Sequence, residues 1–357
     1  MIGTHCPMAL PAGLVWHAAS HPVPDERSTR AAEAALELVR GLQADEELVV
    51  LISGGASALL ALPRPEITLD DKRQTTRTLL GAGADITALN TVRKHLSLVK
   101  GGQLGVAAGR GHALAVSDVV GDDLGVIASG PTVPDPTTFA DALGVLARYG
   151  GPSAYPARVV ELFGRGAAGE VDETPKPGDP RLGGVRTAVI GSGRDAADGA
   201  AREAAARGYR VVMLPEPLVG EAREAGARLV AEGLRAAKGL TPPVSVVAFG
   251  ETTVHVAGDG RGGRNQELAL GAAMALDRDG IAAAVLSGGT DGVDGPTDAA
   301  GAIADHTTIA RAREQGLDPH DFLRRNDTYP FFAALGDLLI TGPTHTNVGD
   351  VQVLIVG

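Results

Sequence analysis

Short apolar runs recur along the chain, and most end on glycine or on an acid. Leu48–Ile52 (LVVLI) leads into Ser53-Gly54-Gly55, and Ala113–Val116 leads into Ser117-Asp118. TAVIGSG (Thr187–Gly193), RVVMLPEP, VSVVAFGE (Val244–Glu251), AAAVLSGGTDG (Ala282–Gly292) and the closing VQVLIVG follow. Runs of this kind read as strands. Alanine-rich stretches such as RDAADGAAREAAARGY read as helices between them. The alternation predicts an α/β fold of mostly parallel βαβ units. Gly169–Gly184 is rich in Pro, Gly and charge and has no apolar periodicity, so it reads as a linker between two domains, 1–176 and 177–357.

Composition narrows the picture. At 357 residues the chain is long enough for two domains. Apolar residues make up 44% but aromatics only 3%, so the core must be built from Ala, Val, Leu and Ile. A net charge of −11 argues against nucleic acid as a partner, because phosphate backbones need a basic face. A single cysteine, Cys6, excludes an internal disulfide and a cysteine zinc cluster. No signal peptide or membrane-spanning apolar run is visible, so the expected compartment is the cytoplasm.

Candidate chemistry lies where runs end. Asp118, Asp122 and Asp123 follow the Ala113–Val116 run within six residues. In α/β sheets, ligands bind at the carboxyl ends of strands. Helix capping explains one or two acids, whereas three together call for a cation or a donor array. The cation suited to hard oxygen ligands and phosphates is Mg²⁺. Ser53, Gly54, Gly55 and Ser57 offer amides and hydroxyls to an anion, although a plain strand–helix turn has the same pattern. Asn90, Arg93 and Lys100 are spaced near whole helical turns and bring cations to one face, in a chain with only five lysines. A solvated basic face is the alternative. Arg264, Asn265, Gln266 and Glu267 follow a glycine loop, as a binding set or as a capping device. Asp291, Asp294 and Asp298 form either a cation-binding loop or an acidic turn. Gly191-x-Gly193-x-x-Ala196 is a weak dinucleotide fingerprint that would suggest NAD and a reductase.

Taken together, HPVPDERS, LISGGASALL, NTVRKHLSLVKGG, SDVVGDDLGVIASGPTVPDPTT, GGRNQELAL, SGGTDGVDGPTDAAG and TGPTHTNVGDVQVLIV resemble, in order, the glycerate 2-kinase family. The C-terminal part of that family is called the MOFRL domain and would span about 243–357 here. The resemblance implies ATP-dependent conversion of D-glycerate to 2-phosphoglycerate with Mg²⁺, in two α/β domains with the active site in the cleft between them. It leaves a homodimer open. Members have also been labelled NAD(P)H-dependent hydroxypyruvate reductases.

By this resemblance Asp118 is the base or orienter, and Arg264 clamps an anion from the second domain. Asp122 and Asp123 meet Mg²⁺. Ser53, Gly54, Gly55, Ser57, Asn90, Arg93, Lys100, Asn265, Glu267 and Asp291 bind nucleotide or substrate. The chain departs from the family pattern at Ser20, where a glycine is usual, and at His345, where a small residue is usual. Family members also carry an upstream segment with an active-site Gly-Lys-Ala lysine, which falls before Met1. A chain starting at Met1 is therefore expected to lack a strand of its first sheet and to turn over poorly, or to be a binding remnant.

Overall fold

The structure, a computed structural model, describes residues 1–6 and 9–357. The described residues form two compact units: Met1–Val116 with Asp122–Ile190, and Ser117–Gly121 with Gly191–Gly357. Among the described residues, no helix is long and apolar enough to cross a membrane.

In the first unit, β1 (Ile2–Gly3) pairs in parallel with β2 (His17–Ala18). β3 (Leu48–Ile52) pairs in parallel with β4 (Arg110–Val116), and β5 (Gly184–Gly191) follows β4 in the same sheet. Leu48 and Ile52 are buried while Val49 and Leu51 are exposed, the period-two pattern of a strand covered on one face. Leu48 packs with Leu36 and Val39 of the helix Glu26–Arg40 and with Leu104 of the helix Gln103–Ala108. A second core gathers Leu79, Val92, Phe139, Leu146 and Phe163 from four helices. Two of these helices, Leu69–Gly81 and Phe139–Arg148, start with capping boxes, Thr68 with Asp71 and Thr138 with Asp141. The Gly169–Gly184 stretch runs within the first unit. Polar contacts tie it down: Glu173 accepts from Phe139 N at 2.8 Å, and Thr174 donates to Asp135 at 3.0 Å.

The second unit holds β6 (Arg210–Met213), β7 (Leu218–Glu221), β8 (Val244–Thr253), β9 (Ala283–Gly289), β10 (Gly301–Asp305), β11 (Leu338–Leu339) and β12 (Asp350–Val356). They form one sheet in the order β11-β10-β9-β12-β8-β6, with β7 also on β8. β6 and β7 run parallel to β8, as the α/β pattern predicts, while β12 lies antiparallel between β8 and β9. The apolar runs of β8, β9 and β12 read the same in either direction, so the sequence pattern alone does not reveal this mixture.

The helix Arg264–Asp279 is buried along most of its length. One face, with Leu268, Ala272 and Leu276, packs against the sheet and the helix Ala222–Ala237; the other, with Ala269, Leu270 and Ala273, meets Phe331 and Phe332. Small residues permit the close approach of these two helices. A Cβ on Gly226 would stand 2.1 Å from the Leu268 carbonyl oxygen, and one on Gly271 would stand 2.2 Å from that of Arg223. Gly226→Ala is therefore expected to destabilise the protein by about 1–3 kcal/mol, read as a lower denaturant midpoint.

Candidate functional site

In the second unit, one end of the sheet collects charge. Asp350, the first residue of β12, is in register with Gly250 of β8 and Gly289 of β9. Glu251 follows Gly250, and Asp291 lies two residues beyond Gly289. Arg264, at the start of its buried helix, donates to both Asp350 oxygens, from Nε at 2.7 Å and from Nη2 at 2.9 Å. Its Nη1 lies 3.0 Å from Glu251. Burial works to lower the Arg264 pKa, but the bonds and charge of Asp350 outweigh it and hold the value above the ordinary one. The guanidinium is thus permanently charged and fixed in plane, and only part of its five-donor fork is engaged. Burial raises the Glu251 pKa, opposed by Arg264 and reinforced by Asp350, Asp118 and Asp291.

The helix that carries Arg264 is capped from elsewhere in the chain. Its N-cap is Gly263, which has no side chain to accept the first amides. Asp294 does so instead: Oδ1 accepts from Asn265 N at 3.0 Å and Oδ2 from Gln266 N at 2.9 Å. A Cβ on Gly263 would sit 2.3 Å from the Asp294 carboxyl, so glycine is required there. Burial pushes the Asp294 pKa up to about 6 despite these bonds.

Asp118 belongs with this group, because Ser117–Gly121 is part of the second unit. Ser117 N donates to Gly191 O at 2.8 Å, and Asn347 Nδ2 donates to Asp118 Oδ2 at 3.3 Å. The two expected catalytic residues therefore lie in one unit, although the sequence places them in different halves. Asp291 accepts from Val293 N at 3.0 Å. Asn265 accepts from Ser287 Oγ at 2.6 Å. Glu267 is buried, with one oxygen 2.8 Å from Arg223 Nη2 and the other accepting from Asn326 Nδ2 at 2.7 Å.

The remaining candidates lie in the first unit. Asp122 adopts a left-handed backbone conformation. Asp123 is exposed, and its Oδ1 accepts from Gly125 N at 2.7 Å. Ser53, Gly54 and left-handed Gly55 turn β3 into a single-turn helix, Ala56–Leu59. Ser57 and Asn90 meet through a residue that sequence reasoning missed, Ser129. Ser129 Oγ donates to Asn90 Oδ1 at 2.9 Å, so the 2.8 Å bond between Ser57 and Ser129 is donated by Ser57. Ala128, Ser129 and Gly130 all have positive φ, a strained run of the kind that persists where surrounding contacts hold it.

Arg93 lies on the helix Ile86–His95, and Lys100 lies past its end. Lys100 is fully buried, and its Nζ donates to Ala128 O at 3.1 Å. Burial, followed by repulsion from Lys72 and Arg93, holds its pKa well below the ordinary lysine value. Burial lowers Arg93 too. Lys72, which the sequence reading passed over, is buried on the neighbouring helix, and burial with Arg93 nearby brings it down to about 7.

Some of the missed residues carried a readable signal. Glu251 ends an apolar run, as Asp118 does. Asp350 begins one, and only the antiparallel course of β12 brings it to the same edge. Lys72 sits among polar neighbours in TLDDKRQ and gave no sign of burial.

The lowered lysine gives a pH test. The folded protein disfavours charge on Lys72, so its burden on stability is full below pH 7 and fades as pH rises toward the unfolded value near 10.5. Between pH 7 and 9.5 the protein should gain stability relative to Lys72→Met, by up to about 3 kcal/mol. Urea unfolding of both proteins at the two pH values measures it. Asp294 titrates below this window.

Residues 6–164 match a family described as a domain of unknown function (DUF4147), and residues 244–350 match the MOFRL family. A relative from Agrobacterium vitis, named provisionally as a hydroxypyruvate reductase, is 45% identical over 98% of this chain and 79% of that protein. The glycerate 2-kinase of Pyrococcus horikoshii is 43% identical over 95% of this chain and 77% of that protein. The crystal structure of glycerate kinase from Thermotoga maritima aligns with a TM-score of 0.87 at 40% identity, covering 98% of this chain and 82% of that one. With likeness of this extent along both units, the chain belongs to the glycerate 2-kinase family.

Proposed function

We propose that the protein transfers the γ-phosphoryl group of ATP to the 2-hydroxyl of D-glycerate, giving 2-phosphoglycerate and ADP. The observation that carries this reading is the fixed Arg264 guanidinium in the same unit as Asp118, with Glu251 coupled to both. Phosphoryl transfer needs charge stabilisation and a group that takes the hydroxyl proton, and these two side chains match those needs. Asp118, oriented by Asn347, takes the proton as the 2-oxygen attacks phosphorus. Arg264 steadies charge on the transferring group with its remaining N–H donors. Asp350 and Glu251 hold the guanidinium plane, and Asn265 and Asp294 hold the helix end that carries it. Asp291 lines the same end of the sheet. In the first unit, the Ser53–Ser57 turn, Asn90, Arg93 and Lys100 bind anionic oxygens.

Mg²⁺ fits this chemistry as a partly hydrated ion resting mainly on nucleotide phosphates. Among the described residues no group of three or more His, Cys, Asp or Glu side chains is arranged to cage a metal by itself. Exposed Asp123, with one oxygen already engaged, and Asp122 suit contact through water. When bound, the ion neutralises charge between the phosphates.

The reductase reading finds less support at its fingerprint. Ser192 caps the following helix, accepting from Asp195 N, so one of the amides a pyrophosphate would use is already engaged. A Cβ on Gly193 would meet Val348 O at 2.9 Å, so the space that a pyrophosphate needs is taken by the chain itself.

Asp118→Asn is expected to lower kcat roughly 10²-fold or more with an unchanged melting temperature. Near-normal turnover would remove Asp118 from this role. Arg264→Lys should also lose most activity, because a lysine lacks the planar fork that Asp350 and Glu251 hold. Calorimetry should show Mg-ATP binding and no tight NADH binding; tight NADH binding with enzymatic reduction of hydroxypyruvate would favour the reductase.

A further inference from the structure

Lys72 Nζ and Asn90 Nδ2 have no hydrogen-bond partner among the described residues. Both residues are deeply buried, at 4% and 3% exposure. Buried polar groups are almost always paired, so two orphans in one region call for an explanation. Lys94, nearby in sequence, shows the ordinary solution: its ammonium lies 3.3 Å from buried Asp135. Lys72 and Lys100 enter no ion pair among the described residues, and the charged groups that act on them are cations.

These groups converge from three segments. Lys72 comes from the helix Leu69–Gly81. Asn90 and Arg93 lie one turn apart on the helix Ile86–His95. Lys100 comes from the segment after it and reaches Ala128 O, next to the Ser129 that bonds Asn90 Oδ1. Lys72 and Lys100 feel each other and Arg93 as like charges. Buried like charges are costly unless an opposite charge joins them. The Asn90 amide adds a neutral N–H donor with nothing to donate to.

We propose that Lys72, Arg93, Lys100 and the Asn90 amide form a buried subsite for a small oxyanion, either a phosphoryl group or a carboxylate. It rests on the reading of Asn90, Arg93 and Lys100 as anion-binding residues; it adds Lys72 as a third cation and assigns the Asn90 role to its orphaned Nδ2 donor. The anion supplies the missing counter-charge, and the orphaned donors find acceptors on its oxygens.

Two probes separate the sources: sulfate, a tetrahedral dianion that stands for the phosphoryl group, and D-glycerate, which brings a carboxylate. Calorimetry on the unaltered protein at pH 8 should show binding of at least one probe with net proton uptake, because the anion holds the amines charged. Lys100, Arg93 and Lys72 are the cations facing the subsite. Lys72→Met should weaken that binding about tenfold or more, while melting in anion-free buffer is unchanged or raised. Loss confined to sulfate identifies a phosphoryl subsite, and loss confined to D-glycerate a carboxylate subsite. Failure of both probes to bind, or binding that Lys72→Met leaves intact, overturns the proposal. If Lys72→Met does not fold, the unaltered protein decides, and binding without proton uptake overturns it. Turnover of D-glycerate with ATP is assayed separately: its absence would defeat the kinase reading while sulfate binding still tested the subsite.

Discussion

The paired hydrogen bonds from Arg264 to Asp350 set the arrangement of the second unit's charged end. Asp350 is fully buried and Arg264 is half-buried, so the carboxylate needs its counter-charge in place, since without Arg264 it would be a buried, uncompensated ion. Asp350 meets that need only because β12 runs antiparallel between β8 and β9, which brings the start of one strand to the finishing ends of two others. The helix must in turn begin where Arg264 reaches that edge. Asp294 fixes this by capping the helix at a point where glycine leaves room for it. One ion pair thereby ties strand direction, helix position and the bare Gly263 together.

The first unit treats charge differently. Lys94 has Asp135, and His95 lies 3.2 Å from Glu173. Lys72, Arg93 and Lys100 are buried or largely buried without such compensation among the described residues. Stability alone would favour apolar replacements at these positions, since a buried cation without a partner works against folding. Lys100 also reaches the strained left-handed run at Ala128–Gly130, and the proposed anion subsite would account for both features.

Much of this was legible in the sequence. The runs LVVLI and VSVVAFGE are strands, and the acid after an apolar run pointed to Asp118 at the end of one. The motif order pointed to the family. Other features depend on facts that no local pattern encodes. Strand direction decided the place of Asp350. The return of Ser117–Gly121 to the second unit decided which partners Asp118 has. Nothing in the sequence marks Lys72 as buried, because its neighbours Asp70, Asp71 and Arg73 are polar; its burial comes from tertiary packing. The GGRNQE stretch read as a binding set or a cap. It proves to be capped by Asp294, far along the chain, which leaves Arg264 free to pair with Asp350.

The most direct measurement is phosphorus NMR of the protein mixed with ATP, Mg²⁺ and D-glycerate, followed by identification of the products. Phosphoryl transfer predicts ADP and 2-phosphoglycerate appearing in equal amounts. ATP left intact, with NADH consumed when hydroxypyruvate is supplied instead, would contradict it.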